Sequence, residues 1–526
     1  MTAAPAAESR PLPRYLTNRA LAVLIAAVTA TSFLPVLGDG FVSWDDPKNF
    51  VDNPHYRGLG PAQLRWMFTT LHMGHYIPLT WVTLGLDYLL WGMNPAGYHL
   101  TNLLLHTATA LSLYLLALRL LRLALPAGTA EADLRVGAAA AALLWAVHPL
   151  RVESVAWLTE RRDVLSGLFY VTAALAYLTA AGPDAGDRVR RRRWYWASLA
   201  LFAASLLSKS ITVTLPVTLL ALDVYPLRRL GGPSGWRRWD VWLEKAPFFA
   251  IAGLVSVVAF VALLPLGNAH SLRELGVLQR TVLSVYGLAF YLFKTVVPLD
   301  LSPLYLLIIE VTWLHFATVI GGTVLATVVW RRWPAFTTVW VVYVVTVFPV
   351  LGFFHNGPQA TADRYTYLSC LGWALLAGGL LARRWVGLRV ARAIVVVWLL
   401  TMAWLTWQQA GVWHDSFTLW RQALVVDPDN RAAHFNLGGV YEEEGRYAEA
   451  LGEYLEVLRL SRGDGRWYVT IGWLYEKAGV DRGAEESFRE ALRRRPGLPD
   501  ACDGLQRVLA RMGKRPETPE GCPRAK

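Results

Sequence analysis

Four short segments carry the residues that could do chemistry. The first, FVSWDDPKNFVDNPHY, sets Asp45 and Asp46 side by side. Adjacent carboxylates raise each other's pKa, so one can act as a general base near neutral pH. The pair could equally hold a divalent cation through oxygen ligands, or cap the helix that Pro47 would start. The second segment, HPLRVESVAWLTERRDVL, gathers His148, Arg151, Glu153, Glu160, Arg161, Arg162 and Asp163. Glu160 and Asp163 stand at i and i+3, on one face of a helix, with two guanidinium groups between them. Such charges can simply neutralise one another, yet Arg also grips phosphate through paired hydrogen bonds. The third holds Ser208, Lys209 and Ser210, where Lys209 either snorkels to a membrane interface or offers a cation. The fourth, HNGPQATADRYTYL, brings His355, Asp363, Arg364, Tyr365 and Tyr367. Anchoring in an aromatic belt accounts for the tyrosines but not for Asp363 beside Arg364. Brought together, these groups suit a lipid-linked phosphate donor and a hydroxyl acceptor. The cations would hold the leaving phosphate while a carboxylate takes the acceptor's proton.

Such residues must be positioned by elements that live in a bilayer. Of 526 residues 54% are apolar and only 17% charged, where an ordinary soluble chain is about a quarter charged. Apolar runs near 18–37, 98–121, 134–148, 163–181, 194–208, 211–226, 246–265, 313–330, 334–354, 370–385 and 389–408 predict about eleven spans. The net charge of +12 comes from short basic blocks between these runs, which points to topology rather than to nucleic acid. Arg10, Arg14 and Arg19 place the N-terminus in the cytoplasm, and the first apolar run reads as an uncleaved helix. Arg188 with Arg190–Arg193, Arg228 with Arg229, Arg331 with Arg332, and Arg383 with Arg384 mark cytoplasmic loops. Counting 280–297 as a further span would put the last two blocks outside. That segment is therefore read as interfacial or re-entrant, and the C-terminus as outside. All four chemical segments then share the outer face. The high Ala, Arg, Leu and Val content fits a GC-rich bacterial genome, hence a bacterial inner membrane.

From about residue 411 the composition turns polar and a repeat emerges. Leu437, Gly438, Tyr441, Ala450, Tyr454 and Val457 recur as Ile471, Gly472, Tyr475, Ala484, Phe488 and Ala491. The offset of 34 residues is the period of a tetratricopeptide repeat. Full repeats are expected over 431–464 and 465–498, inside a domain covering 411–513 after a membrane domain over 1–408, with 514–526 as a flexible tail. The chain is thus expected to be all-α, a polytopic bundle followed by an α-solenoid. Cys502 and Cys522 could pair in an oxidising compartment, although two free thiols are the plainer expectation; Cys370 reads as packing.

The strings WDD-PKNFVDNP, YIPLTWVTLGLDYLLWGMNPAGYHLTNLLLH, HPLRVESVAWLTERRDVLSGLF, LLSKSITVTLP and ATADRYTYL resemble the TMTC-type family of protein O-mannosyltransferases. The resemblance covers most of the chain and implies a GT-C glycosyltransferase fold using a polyprenyl-phosphate sugar. It implies inverting transfer, with mannose as the leading sugar, to Ser or Thr hydroxyls of exported proteins. By position it makes Asp45 the catalytic base and Asp46 its partner. It makes Arg161, Arg162, Lys209 and Arg364 the donor-phosphate ligands. His148, Glu153, Glu160, Asp163, Asp363 and Tyr365 would shape the site, and the repeats would recruit the acceptor polypeptide. Two positions depart from the family pattern: Arg151 stands where His is usual, and Ser210 where an acid follows Ser-Lys. A metal requirement is left open.

Two other functions fit parts of the sequence. A non-catalytic membrane scaffold needs only the spans and the repeats, but leaves the loop charges unexplained. A GT-C transferase acting on lipid or glycan differs only in its acceptor. A transporter fits least, because the ionisable residues lie in loops rather than at the midplane.

Overall fold

The structure is a computed structural model that describes residues 17–231, 235–266, 275–307, 310–354, 359–383, 388–514 and 522. Arg10, Arg14, His355, Arg384 and most of the 514–526 tail lie outside the described residues. The chain divides into two compact units. The first takes in residues 1–40, 48–301 and 305–413, and the second 41–47, 302–304 and 414–526.

The first unit is helical: α1 (Asn18–Ser32), α2 (Pro61–Thr69), α3 (Pro78–Trp91), α4 (Pro95–Ala124), α5 (Glu131–Ala146), α6 (Val152–Ala156), α7 (Arg161–Ala181), α8 (Arg188–Ser208) and α9 (Leu215–Val224) lead into α10 (Trp239–Leu243), α11 (Ala246–Leu263), α12 (Val277–Val296), α13 (Trp313–Val329), α14 (Pro334–Val347), α15 (Thr366–Ser369), α16 (Leu371–Ala382) and α17 (Leu388–Ala410). The starts follow from the sequence. Proline opens α2, α3, α4 and α14, where its missing N–H costs nothing and its fixed φ suits the first turn. Asn94 caps α4 by accepting from Ala96 N at 3.1 Å, and Asp187 caps α8 through Arg190 N at 2.7 Å. The sheet content among the described residues is one antiparallel pair, β1 (Tyr305–Leu306) and β2 (Gln359–Thr361), with Tyr305 opposite Thr361.

This is a membrane protein. Among the described residues four helical stretches are long and apolar enough to cross a bilayer: Pro95–Ala124, Leu158–Ala181, Trp239–Leu263 and Arg392–Trp413. A fifth arises if Asp363–Ser369 and Leu371–Ala382, bent by 52°, count as one span. Four further apolar helices are shorter. Bulky apolar side chains stand exposed along α11 (Leu254, Val257, Phe260), α13 (Ile320, Val328) and α17 (Ile394, Val397, Leu400). Patches of that kind call for lipid rather than water. Residues 280–296 fall in α12, one continuous helix of 20 residues that Val297 caps. At its end Lys294 Nζ donates to the carbonyls of Leu299 and Asp300, at 2.5 and 3.1 Å. Inside the bundle α5 and α16 touch backbone to backbone. A Cβ on Gly137 would lie 2.5 Å from the Gly378 carbonyl, and a Cβ on Gly378 would meet the Gly137 carbonyl in turn.

The second unit contains α18 (Ser416–Val426), α19 (Arg431–Glu443), α20 (Tyr447–Leu460), α21 (Gly465–Lys477), α22 (Asp481–Arg494) and α23 (Pro499–Arg511). Gly438 of α19 meets Tyr454 of α20, and Gly472 of α21 meets Phe488 of α22. A Cβ at either glycine would sit 2.5 or 2.6 Å from the facing ring. The segments 41–47 and 302–304 are part of this unit. Ser43 N donates to Ser416 Oγ at 2.7 Å, Trp44 packs on Trp420 with ring centroids 5.3 Å apart, and Asn430 Nδ2 donates to the Leu304 carbonyl at 3.0 Å. Cys502 and Cys522 are joined as a disulfide, where free thiols were the plainer expectation. Their Cα atoms lie 5.9 Å apart, within the reach of a bridge. Cys370 is free and buried, as a packing residue would be.

Candidate active site

The start of α7 organises the candidate site. A 3-10 turn over Leu158–Glu160 runs straight into α7, so residues 160–163 point in successive directions about 100° apart. Glu160 and Asp163 face the same way and share one cation: Lys209 Nζ lies 2.6 Å from Glu160 Oε2 and 2.7 Å from Asp163 Oδ1. Arg162 folds back onto Glu160, with Nη2 at 2.6 Å and Nε at 3.2 Å. Arg364 arrives from the turn before α15, its Nε 3.3 Å from Glu160 Oε1. Three cations therefore converge on one carboxylate.

Arg364 is itself held from several sides. Its guanidinium pairs with Glu153, and its backbone N–H donates to Glu153 Oε2 at 2.8 Å. Gln359 accepts from its Nη2 at 3.0 Å, and the rings of Trp157 and Tyr365 lie 5.4 and 5.0 Å from it. Burial raises the Glu153 carboxyl above its usual range, against the pull of Arg364. Three acids, Glu153, Glu160 and Asp163, face three bases, Arg162, Lys209 and Arg364, so the cations meet their counter-groups within the cluster. The Glu160 side chain is 0% exposed, whereas those of Arg162, Lys209 and Arg364 are 11%, 13% and 7% exposed. An approaching anion meets the cations first.

Arg161 points elsewhere. Its Nη2 reaches Asp87 Oδ2 at 2.6 Å and the Tyr98 carbonyl at 2.8 Å, its Nε donates to Asn102, and its side chain is 0% exposed. This guanidinium ties α7 to α3 and α4. Arg151 is also buried, donating to Thr366 Oγ1 at 2.8 Å and lying 5.8 and 5.9 Å from the rings of Trp145 and Tyr367. His148 caps the turn after α5: its Nδ1 accepts from Leu150 N at 3.3 Å, so Nε2 is the donor to the Thr295 carbonyl at 3.0 Å. Asp363 accepts from the Tyr305 hydroxyl at 3.0 Å, and Gln359 Nε2 donates to the Tyr365 hydroxyl at 2.7 Å. Tyr305 and Gln359 lie on β1 and β2, so the small sheet positions this segment.

Asp45 and Asp46 belong to the second unit. Asp46 is buried and closes its own loop by accepting from Val42 N at 3.1 Å, while Asp45 is half-buried.

The segment before α2 and the start of α3 also reach the charged cluster. Asn49 Nδ2 donates to Thr159 Oγ1 at 3.0 Å, and Thr80 Oγ1 donates to the Ser208 carbonyl at 3.0 Å, next to Glu160 and Lys209 respectively. His75 lies within the field of Arg162, Glu160, Lys209 and Arg364. Burial first, and then Arg162, push its imidazole down to about 3, so it is neutral at physiological pH. His75, Asp87 and Asn102 escaped the sequence reading. Asp87 is a lone carboxylate in the run WVTLGLDYLLW, and an acid in such surroundings is a signal that could have found it. His75 has no comparable signal. Among the described residues no three His, Cys, Asp or Glu side chains converge to hold a metal ion.

No protein-family profile matches this chain. Curated relatives do. It is 27% identical over 494 residues to protein O-mannosyl-transferase Tmtc3 of Drosophila melanogaster, 24% over 457 residues to protein O-mannosyl-transferase F38B6.6 of Caenorhabditis elegans, and 25% over 503 residues to protein O-mannosyl-transferase TMTC1 of Homo sapiens. These matches cover 79%, 83% and 84% of this chain but 52%, 62% and 55% of the relatives, so the chain spans little more than half their length. The crystal structure of ArnT from Cupriavidus metallidurans bound to undecaprenyl phosphate aligns over 93% of this chain and 84% of its own, at 15% identity and a TM-score of 0.39. A score that low carries no conclusion about fold or ligand.

Proposed function

We propose that the chain is a membrane glycosyltransferase that moves a sugar from a polyprenyl-phosphate donor to Ser or Thr hydroxyls of exported proteins, with mannose as the leading sugar. The observation that carries this reading is the convergence of Arg162, Lys209 and Arg364 on the sealed Glu160. A phosphate oxygen can take over hydrogen bonds that a carboxylate oxygen now accepts, and Arg offers it a two-pronged grip. Arg161, engaged by Asp87, takes the part of fixing the start of α7 instead. In the transfer the acceptor oxygen bonds to the anomeric carbon and the bond from that carbon to the phosphate oxygen breaks. The lipid phosphate leaves onto the cations, and the acceptor proton passes to a carboxylate. The WDD motif nominates Asp45 for that proton with Asp46 as its partner, an assignment that rests on the resemblance alone. Glu153, Glu160, Asp163, Asp363, His148 and Tyr365 hold the cations and their supporting turns.

The second unit, read as tetratricopeptide repeats on the exported side, would bring the polypeptide acceptor. The 34-residue offset and the matched Gly438–Tyr454 and Gly472–Phe488 contacts support that reading. The test is transfer of labelled hexose from polyprenyl phosphate in membranes holding the full chain. Lys209→Ala should lower the rate by about 100-fold or more, the scale of losing one charge-stabilising donor, and Asp45→Asn should abolish transfer. Unchanged rates in both variants would sink the proposal. The prior pairing of every cation favours a second reading, a scaffold with protein-binding repeats. It requires wild-type membranes to transfer no sugar. Label appearing in lipid or glycan instead of protein would mark a transferase with another acceptor.

A further inference from the structure

Beside the cation cluster lies a group of aromatic rings that the transfer chemistry does not use. Trp81, 2% exposed, forms its floor. Over it stand Trp66, with centroids 5.1 Å apart at 65°, and His72, 5.6 Å away at 76°. His55 stacks on Trp66 at 5.5 Å and 20°, and is exposed. Trp66 and His72 are half-buried, so ring surface remains open on both.

Polar groups accompany the rings. His72 Nε2 contacts the Lys48 carbonyl at 3.2 Å, so Nε2 carries the proton and Nδ1 is left as an acceptor. The Trp81 indole N–H is buried and has no hydrogen-bond partner among the described residues. A buried donor in that state is costly and calls for an explanation. The backbone that presents the group is strained: Met73 and Gly74 both have positive φ, 49° and 76°. Met73 is a residue that rarely adopts such angles, and strain of this kind gathers at ligand sites. The turn sends His72 to the rings and His75, three residues on, into the field of Arg162, Glu160, Lys209 and Arg364. Packing secures it from below, because Gly85 of α3 lets the backbone at Tyr56 and Gly58 lie directly on that helix.

We infer that Trp66 and His72 form a stacking shelf for the pyranose ring of the glycosyl phosphate whose phosphate rests on Arg162, Lys209 and Arg364; this rests on the function proposed above. The chemistry fits a neutral sugar. A pyranose presents C–H bonds of slight positive charge to the negative faces of the rings, and a rim hydroxyl can pair with the imidazole acceptor of His72. A charged ligand would find no opposite charge among the shelf residues, and a lipid tail would leave these polar atoms unmet.

The experiment measures binding to the purified full chain in nanodiscs of three probes: short-chain polyprenyl phosphate bearing a hexose, the same phosphate without sugar, and methyl hexoside. Wild type should favour the sugar-bearing phosphate by about tenfold, the scale of one aromatic contact with its hydrogen bonds. Trp66→Ala should bind both phosphates alike, with affinity for the bare phosphate unchanged, while Trp66→Phe keeps part of the preference. Methyl hexoside should not compete. Equal wild-type affinity for the two phosphates, or an undiminished preference in Trp66→Ala, overturns the shelf and leaves the transferase reading standing. Competition by methyl hexoside overturns the assignment to the donor and points to an acceptor glycan. Binding of neither phosphate by wild type overturns the transferase reading and the shelf together.

Discussion

Arg161 and Arg162 are neighbours in sequence with opposite employment, and the difference is testable. Arg161→Gln strands the buried carboxylate of Asp87 and should cost about 3–5 kcal/mol in unfolding of the detergent-solubilised chain. Adding Asp87→Asn should recover part of that loss. Arg162→Gln leaves Glu160 with Lys209 and Arg364. It should cost less stability and weaken polyprenyl-phosphate binding by about 10-fold or more, the worth of a charged hydrogen bond. Equal effects on both measurements would erase the distinction. The spacing of Glu160 and Asp163 was legible, because helix periodicity alone puts them on one face. The separate path of Arg161 was not, since its partner lies 74 residues earlier and only tertiary packing reveals it. His75 adds a pH dependence. Its folded pKa is depressed below the ordinary value of 6.5 to about 3. Its contribution to stability is complete above 6.5 and falls with pH between those two values, because only the unfolded chain takes up the proton. The slope from one such histidine is about 1.4 kcal/mol per pH unit at most. Replacing His75 by Gln should flatten thermal unfolding between pH 6.5 and 5 accordingly.

At the scale of elements, helices were easier to foresee than how much of a membrane each one crosses. The apolar runs near 98–121, 163–181 and 246–265 reappear as α4, α7 and α11 with edges shifted by a few residues. The run at 211–226 instead contains a 3-10 turn over Ser210–Thr214 before α9, a break that composition does not show. The small sheet was missed altogether, since strands of two and three residues leave no period to read. The repeat is an expectation read from six positions recurring 34 residues apart, and its glycines are where it can be tested. Gly472→Val adds a branched side chain where even a Cβ would press on Phe488 at 2.6 Å. Overpacking of this order costs about 1–3 kcal/mol. Limited proteolysis of the full chain should then cut the 465–494 region sooner than in wild type.

For the whole molecule, sidedness is the property most open to measurement. The bridge between Cys502 and Cys522 persists in an oxidising compartment and is rare in a reducing one. If the second unit is exported, a membrane-impermeant maleimide should label these two cysteines in intact cells only after reduction. Labelling only after lysis would place that unit inside and restore α12 as a full span, whereas labelling of intact cells without reductant would place it outside with its thiols unpaired. Charge blocks give a predicted sidedness, and the mutual neutralisation that the 148–163 charges suggest in sequence takes a specific form in the cluster, where Arg162, Lys209 and Arg364 pair with Glu153, Glu160 and Asp163. That internal pairing has a consequence for selectivity. On the proposed function, binding there would be an exchange of counter-ions, in which an arriving phosphate would have to outcompete carboxylates that never diffuse away. Free phosphate and soluble nucleotides, dilute and untethered, would lose that contest. A phosphate confined to the bilayer by its own hydrocarbon chain would enter at a high local concentration, so tethering would become part of what the protein recognises.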